Sequence, residues 1–85
     1  MEPVFITEEI REGALVADYR MLVRNMTQDE LAFRAGVARS TLAQYEKGLK
    51  RMPDERVRSI ASALGINAWK LRNMHDLPLE GTTAA

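Results

Sequence analysis

The spacing of apolar residues predicts helices along most of the chain. From Leu15 to Met26, apolar residues recur at intervals of four, three and four through Tyr19 and Leu22, which places them on one face of a helix over about residues 14–25. A strand-like run occurs only at residues 4–6. The pattern therefore predicts an all-α fold. The i, i+3, i+4, i+7 template of a buried helical face recurs later at Val57, Ile60, Ala61 and Leu64.

Capping signals set the bounds of the two central helices. Thr27 is a suitable N-cap for a helix over residues 28–35, and Gly36 follows its last apolar residue, as a C-terminal glycine commonly does. The next helix is predicted over residues 39–47. These signals indicate two short helices joined by a tight turn.

Two further caps complete the predicted domain. Asp54 is placed to cap a fourth helix over residues 54–64, and Gly65 to end it. Asn67 is placed to cap a short fifth helix over residues 68–75. The sequence therefore predicts a single five-helix domain that extends from the first helix to the fifth, over residues 14–75.

The two ends of the chain lack this pattern. Residues 1–13 are interpreted as a short, acidic N-terminal arm. Residues 76–85 contain Pro78 and Gly81 and have no amphipathic period, so we expect a disordered C-terminal tail.

Composition restricts the class of protein. With 85 residues, the chain has room for one small hydrophobic core. It has no cysteine and one histidine, and it shows no glycine-rich phosphate loop, so we expect no metal, no cofactor, no catalytic residues and no enzymatic activity. No apolar run approaches the roughly 18 residues that cross a bilayer, and the acidic N-terminus is unlike a signal peptide. We expect a cytoplasmic protein with no membrane partner.

Charge is balanced overall but uneven along the chain. Twelve lysines and arginines match twelve carboxylates. Residues 1–19 carry one arginine and five carboxylates, a net charge of −4, whereas residues 20–58 carry nine lysines and arginines and five carboxylates, a net charge of +4. A basic middle suits contact with nucleic acid, and ordinary solvated charge is the alternative.

The two central helices match the helix-turn-helix motif, because their turn is too short for a near-antiparallel hairpin. In that motif the second helix lies in the major groove of DNA. With Leu42 and Tyr45 facing the core, the outward face of the helix over residues 39–47 carries side chains suited to base reading. Arginine bonds guanine, glutamine bonds adenine, serine bonds either, and an alanine methyl contacts a thymine methyl. The candidate base-contacting residues are Arg39, Ser40, Ala43 and Gln44. The alternative is that they merely face solvent.

Several motifs in this region are specific. The segments TQDELA, AGV, RSTL, YEKG and ALGI occur in this order. With them, residues 20–71 resemble the lambda repressor and Cro-like helix-turn-helix family, also called the xenobiotic-response-element family. The resemblance implies that Gln28 bonds a phosphate and helps to orient the base-reading side chains, and that Thr41 and Lys47 contact the DNA backbone. Further phosphate contacts are expected from the loop residues Lys50 and Arg51.

The chain departs from the family pattern in places. Ala38 stands where a serine or threonine N-cap is frequent, so the recognition helix is expected to start without a side-chain cap. Phe33 stands where a charged residue is usual. Residues 4–6 are one candidate cover for its ring, and a singly exposed aromatic beside a frayed terminus is the alternative. The first predicted helix matches the family only loosely in register.

A single such motif reads only a few base pairs, so a dimer on twofold-symmetric DNA is expected. The fifth helix offers an apolar interface of Trp69, Leu71 and Met74, although Trp69 or Leu71 would instead close the core in the alternative interpretation. The resemblance also favours a homodimer through the last helix. The leading hypothesis is a dimeric repressor or activator that binds operator DNA. One alternative is a regulator, such as an antitoxin, that also binds a protein through the N-terminal arm or C-terminal tail. Another is a protein adaptor that binds no DNA.

Overall fold

Helices and helical turns make up the regular structure of the described chain. The computed structural model describes residues 6–73, in which no residue lies in a β-strand. The all-α prediction is confirmed. The elements are α1 (Glu8–Asp18), a π-helical turn (Tyr19–Val23), α2 (Gln28–Ala35), α3 (Arg39–Glu46), α4 (Asp54–Leu64) and a 3-10 turn (Ala68–Lys70).

The first helix begins earlier than predicted. Helix α1 starts at Glu8 because Thr7 caps it, its hydroxyl accepting a hydrogen bond from a first-turn backbone amide at 3.1 Å. The predicted helix start near Ala14 was therefore wrong, and residues 8–13 belong to a helix rather than to an arm. Residues 1–5 lie outside the described residues.

The π-helical turn changes which apolar residues are buried. A π turn holds one more residue than an α turn, so the side chains within it are rotated from α-helical register. Val16 is fully buried, whereas Leu22, which was predicted to face the core, is 79% exposed. The predicted face was wrong at Leu22. It was correct at Leu15, Tyr19 and Met26, which pack against the core.

The core places α3 where it is supported from behind. Helix α1 packs against α3, and α2 packs mainly against α4. Fully buried side chains from α2, α3, α4 and the last described turn meet at the centre: Leu31, Leu42, Tyr45, Ile60, Leu64 and Leu71. This arrangement fixes the inner face of α3 and leaves its other face to solvent.

The predicted fifth helix is only a 3-10 turn within the described chain, so the predicted helix count was wrong. Asn67 precedes this turn, as expected, but its side chain makes no capping hydrogen bond. The backbone then turns Leu71 into the core, where it is fully buried. Residues 74–75, the predicted end of the helix, and the predicted tail 76–85 lie outside the described residues.

Candidate nucleic-acid interface

The turn between α2 and α3 is formed by local signals that the sequence displays. Thr27 and Glu30 form a capping box at the start of α2, in which each side chain accepts a hydrogen bond from the other residue's backbone amide at 3.0 Å. Gly36 ends α2 in the left-handed region, with φ of +73°, where a side chain would be strained. The predicted roles of Thr27 and Gly36 are confirmed. Together these caps fix the directions in which α2 ends and α3 begins.

Helix α3 has one buried face and one exposed face. Leu42 and Tyr45 lie in the core. Positions i, i+1, i+4 and i+5 share one face of a helix. Counted from Arg39, these positions carry the four candidate base-contacting residues, on the face of α3 opposite to Leu42 and Tyr45. Of these, Arg39, Ser40 and Gln44 are exposed and Ala43 is half-buried. The structure therefore brings all four together on the outward face of α3.

The start of α3 lacks a side-chain cap, as predicted. Ala38 occupies the N-cap position and makes no side-chain hydrogen bond. The first amide groups of a helix have no partners inside the helix. In α3 they are therefore left to water or to an acceptor that approaches from outside, such as a phosphate oxygen.

A cleft of about 240 Å³ lies beside this helix start. Its walls come from the turn between α2 and α3, the first turn of α3, the loop before α4 and the start of α4, and they include Thr41, Lys50 and Arg56. Thr41 and Lys50 are two of the predicted phosphate contacts. Arg56 was not predicted, because it is one of two arginines in α4 and only the fold brings it to the cleft.

The other predicted phosphate contacts lie around α3 in different settings. Lys47 is exposed at the end of α3. Arg51 is exposed, and its guanidinium lies 3.9 Å from the carboxylate of Glu9 in α1. Gln28 is half-buried, and its side-chain amide donates a hydrogen bond to Glu46 at 3.0 Å. Gln28 is thus held against the inner side of α3 rather than free in solvent.

Glu46 is the centre of a partly buried network that sequence reasoning missed. Arg20 donates two hydrogen bonds to its carboxylate, at 2.8 Å and 2.9 Å, and a third to the Met26 carbonyl at 2.9 Å. Such bidentate pairs are the stronger kind of hydrogen-bonded ion pair. The network turns the only carboxylate of α3 away from the outward face and neutralises it. It also positions Gln28 through Glu46.

A second network, also missed from the sequence, holds the other end of the domain. Glu12 of α1 accepts hydrogen bonds from Arg72 at 2.9 Å and 2.8 Å and from the Tyr45 hydroxyl of α3. Arg72 also donates to Asp54 at 2.7 Å. Asp54 does not have the predicted capping role, because it is the first residue of α4 and the N-cap is Pro53, which makes no side-chain capping hydrogen bond. These contacts join α1, α3, α4 and the last described residues.

Two of the pKa values that the second network shifts are those of Tyr45 and Asp54. Burial, together with the hydrogen bond to Glu12, raises the pKa of the Tyr45 hydroxyl far above its usual value. The hydrogen bond from Arg72 lowers the pKa of the Asp54 carboxyl. Both shifts favour the protonation states that the network uses near neutral pH, a neutral phenol and a charged carboxylate.

The predicted interface residues and Phe33 lie in different environments. Leu71 closes the core, as in the alternative interpretation, so it is not available to a second subunit. Trp69 is 65% exposed, and Met74 lies outside the described residues. Phe33 is 86% exposed. Ile6, the described residue of the segment that was a candidate cover for Phe33, is also exposed.

The described chain offers an outward helix face and no metal site. Within residues 6–73, no group of three or more acidic or histidine side chains is arranged to hold a metal ion. No helix in the same range is long and apolar enough to span a membrane. The arrangement of α2, the glycine turn and α3 is that of a helix-turn-helix protein.

Comparison with known proteins identifies the family. A model of the helix-turn-helix family HTH_3, which is lambda repressor/Cro-like, matches residues 17–68. The chain belongs to this family of DNA-binding transcription regulators, and the resemblance noted in the sequence is confirmed. A search of curated proteins finds no significant match.

Solved structures agree with this family. The clp gene regulator ClgR from C. glutamicum is 26% identical, with a TM-score of 0.69 over 82% of this chain and 86% of that chain. SinR, solved in a SinR/SinI protein complex, is 26% identical, with a TM-score of 0.64 over 72% of this chain and 59% of that chain. The restriction-modification controller protein C.AhdI from Aeromonas hydrophila shares the fold at 23% identity, with a TM-score of 0.71 over 75% of this chain and 96% of that chain.

Proposed function

We propose that the protein regulates transcription by binding a specific operator as a homodimer, with α3 in the major groove. The observation that carries this proposal is the outward face of α3, on which arginine, serine, alanine and glutamine lie together while the helix's carboxylate is held away by Arg20. These are the side-chain types that read base edges. In this proposal the base contacts come from Arg39, Ser40, Ala43 and Gln44.

Phosphate contacts would surround the reading face. Lys47 is exposed at the end of α3, and the cleft beside the start of α3 gathers Thr41, Lys50 and Arg56. Contacts of this kind fix the register of a protein on DNA without carrying sequence information. The proposed set is Gln28, Thr41, Lys47, Lys50 and Arg51, and we add Arg56 to it because Arg56 lines the same cleft as Thr41 and Lys50.

The proposed dimer interface includes Trp69 and excludes Leu71. The Trp69 side chain is largely exposed, with the Lys70 ammonium 5.7 Å from the centre of its ring. Tryptophan is a frequent anchor of protein interfaces. Met74, which follows in the chain, stays in the proposal from sequence. The matched control for this surface is Phe33, a second exposed aromatic residue, which lies on α2 and is 86% exposed.

Selection of bound DNA from a random pool tests the function. We expect a recovered motif with two half-sites in inverted orientation, centred one helical turn or a multiple of it apart. Recovery of DNA without sequence preference would contradict the proposal.

Equilibrium sedimentation tests the dimer independently. We expect the wild type and Phe33→Ser to be dimeric at tens of micromolar and Trp69→Ser to dissociate more readily. A monomeric wild type at that concentration would overturn the proposed dimer. Dissociation of Phe33→Ser instead of Trp69→Ser would move the interface to α2.

A second candidate is a regulator that also binds a protein partner. The observation that favours it is a run of three exposed apolar residues in the π-helical turn, Met21, Leu22 and Val23. Such runs are unusual on a surface unless they form a contact. Co-expression with the product of a neighbouring gene tests this candidate: a stable complex lost on Leu22→Ser, with DNA binding retained, would favour it, and purification of the chain alone would count against it.

A further inference from the structure

An ion pair joins the two helices of the helix-turn-helix motif at their N-terminal ends. The Nε atom of Arg39, the first residue of α3, lies 3.2 Å from a carboxylate oxygen of Asp29 in the first turn of α2. The two side chains are 62% and 77% exposed. Arg39 is also the first proposed base-contacting residue, so this carboxylate touches the reading face directly.

Asp29 makes none of the side-chain caps of α2, and as an acidic residue in the first turn it contributes only a small helix-dipole term. The capping box is made by Thr27 and Glu30, whose side chains accept the hydrogen bonds at this helix end. An exposed ion pair such as that of Asp29 also adds little to stability, because both charges remain well hydrated and screened. Neither capping nor folding therefore accounts for the contact with Arg39.

A carboxylate on Nε restricts what the rest of the guanidinium can do. An arginine side chain has many rotamers, and fixing one of them costs entropy when it binds a base. A contact through Nε leaves the two terminal nitrogens of Arg39 free to donate. A guanine presents two acceptors, O6 and N7, on its major-groove edge.

We propose that Asp29 is a positioning residue that sets the base preference of Arg39. This inference rests on the proposed function, since it assumes that Arg39 reads a base. The carboxylate holds the guanidinium in one orientation, so that its terminal nitrogens meet a guanine without a further loss of rotamer freedom. Asp29 thereby adds specificity even though its charge opposes the approach of phosphates.

The charge of Asp29 weakens binding to all DNA, whereas its contact with Arg39 strengthens the preference for one base. A substitution at Asp29 should therefore change the two properties in opposite directions. Asp29→Asn removes a negative charge near DNA, so binding to non-specific DNA should strengthen slightly. The same substitution removes the ionic hold on Arg39. At the position that Arg39 reads, the preference for the best base should fall by about 1.4- to fivefold, the factor that corresponds to the coupling energy of exposed ion pairs.

The experiment measures the affinity of the full chain for the selected operator and for all its single-base variants. Arg39→Ala first identifies the position that Arg39 reads. Asp29→Asn should reduce the base preference at that position alone, and Asp29→Glu should keep the wild-type preference. In an Arg39→Ala background, Asp29→Asn should cause no further change in base preference. Asp18→Asn, which removes an exposed carboxylate from the end of α1, is the matched charge control and should leave the base profile unchanged.

Four outcomes would overturn the inference. If Asp29→Asn strengthens binding to every sequence alike, Asp29 only repels DNA. If it lowers the melting temperature and weakens every sequence alike, Asp29 is merely structural. If the wild type is selective but Arg39→Ala alters no position, Arg39 is not a reader. If the wild type has no sequence preference, the proposed function fails together with the inference. In the first three outcomes only the inference fails.

Discussion

Replacing Glu12 by glutamine should weaken the domain strongly. The Glu12 carboxylate lies in the interior, where it accepts two hydrogen bonds from Arg72 and one from Tyr45 of α3. The Glu12 and Arg72 side chains are only 5% and 9% exposed. Glu12→Gln keeps the shape of the side chain but leaves the Arg72 charge in the interior without its main partner.

The size of the effect follows from burial. Breaking a buried ion pair by removing one partner typically costs about 3–5 kcal/mol. Asp54 keeps one hydrogen bond to Arg72 at 2.7 Å, and its own side chain is 52% exposed. The residual pair should limit the loss to the lower end of that range, about 3 kcal/mol. This is a large part of the roughly 5–15 kcal/mol that stabilises a typical domain.

Urea unfolding at pH 7, followed by helical circular dichroism, measures the change. Glu8→Gln is the matched control, because it removes a carboxylate from an exposed pair with Arg11 and should cost less than about 1 kcal/mol. The triple variant Glu12→Leu, Arg72→Met, Tyr45→Phe should regain most of the loss, since an apolar pair can replace a buried ion pair and the third change removes the hydroxyl that would lose its acceptor. A loss below about 1 kcal/mol in Glu12→Gln would refute the reasoning from burial.

Three further predictions concern the same packing. Gly13→Ala should lower stability by about 1–3 kcal/mol in thermal unfolding, because an added Cβ would press on the carbonyl of Tyr45 and lie 2.8 Å from that of Glu46; an unchanged melting temperature would contradict the close approach of α1 to α3. The raised pKa of Tyr45 means that the folded state favours the neutral phenol. The contribution of Tyr45 to the free energy of unfolding is therefore complete below about pH 10, and above that pH it falls by up to about 1.4 kcal/mol per pH unit. Urea unfolding at pH 9 and pH 11 should show this loss in wild type and in Tyr19→Phe but not in Tyr45→Phe. Thr27→Ala should lower the free energy of unfolding by about 1 kcal/mol in urea unfolding, because α2 loses its N-cap. Gln28→Ala, measured in the same way, is the control for removing the adjacent side chain while the cap stays intact.

The helix-turn-helix could be predicted from sequence because its signals are local. A capping threonine, a glycine that must adopt positive φ, and the apolar spacing of Leu42 and Tyr45 each act within a few residues. The outward face of α3 follows from the same spacing. The residues that contact this face from another helix, such as Asp29, could be found only from the fold.

The first helix could not be predicted correctly because a π turn breaks the periodicity on which the prediction relied. The same insertion accounts for the exposure of Leu22, which lies within the π turn. The start at Glu8 had a local signal, a threonine followed by two glutamates. The acidic composition of the segment hides that signal, because it equally suits an exposed arm.

The buried ion pairs had no sequence signal. Arg20, Glu12 and Arg72 are charged residues in or beside helices, and charged residues are usually exposed. Their burial depends on partners 26 or 60 positions away in the chain. Spacing along a single helix cannot reveal such pairs.

The central claim is that α3 reads bases while the residues around it hold the DNA backbone. The most direct test is the affinity of Gln44→Ala and Lys47→Ala for every single-base variant of the selected operator, at several salt concentrations. We expect Gln44→Ala to lose preference at particular positions. Lys47→Ala should weaken all sequences alike and reduce the salt slope by about one. Equal effects of the two substitutions at every position would contradict the assignment of α3 as the recognition helix.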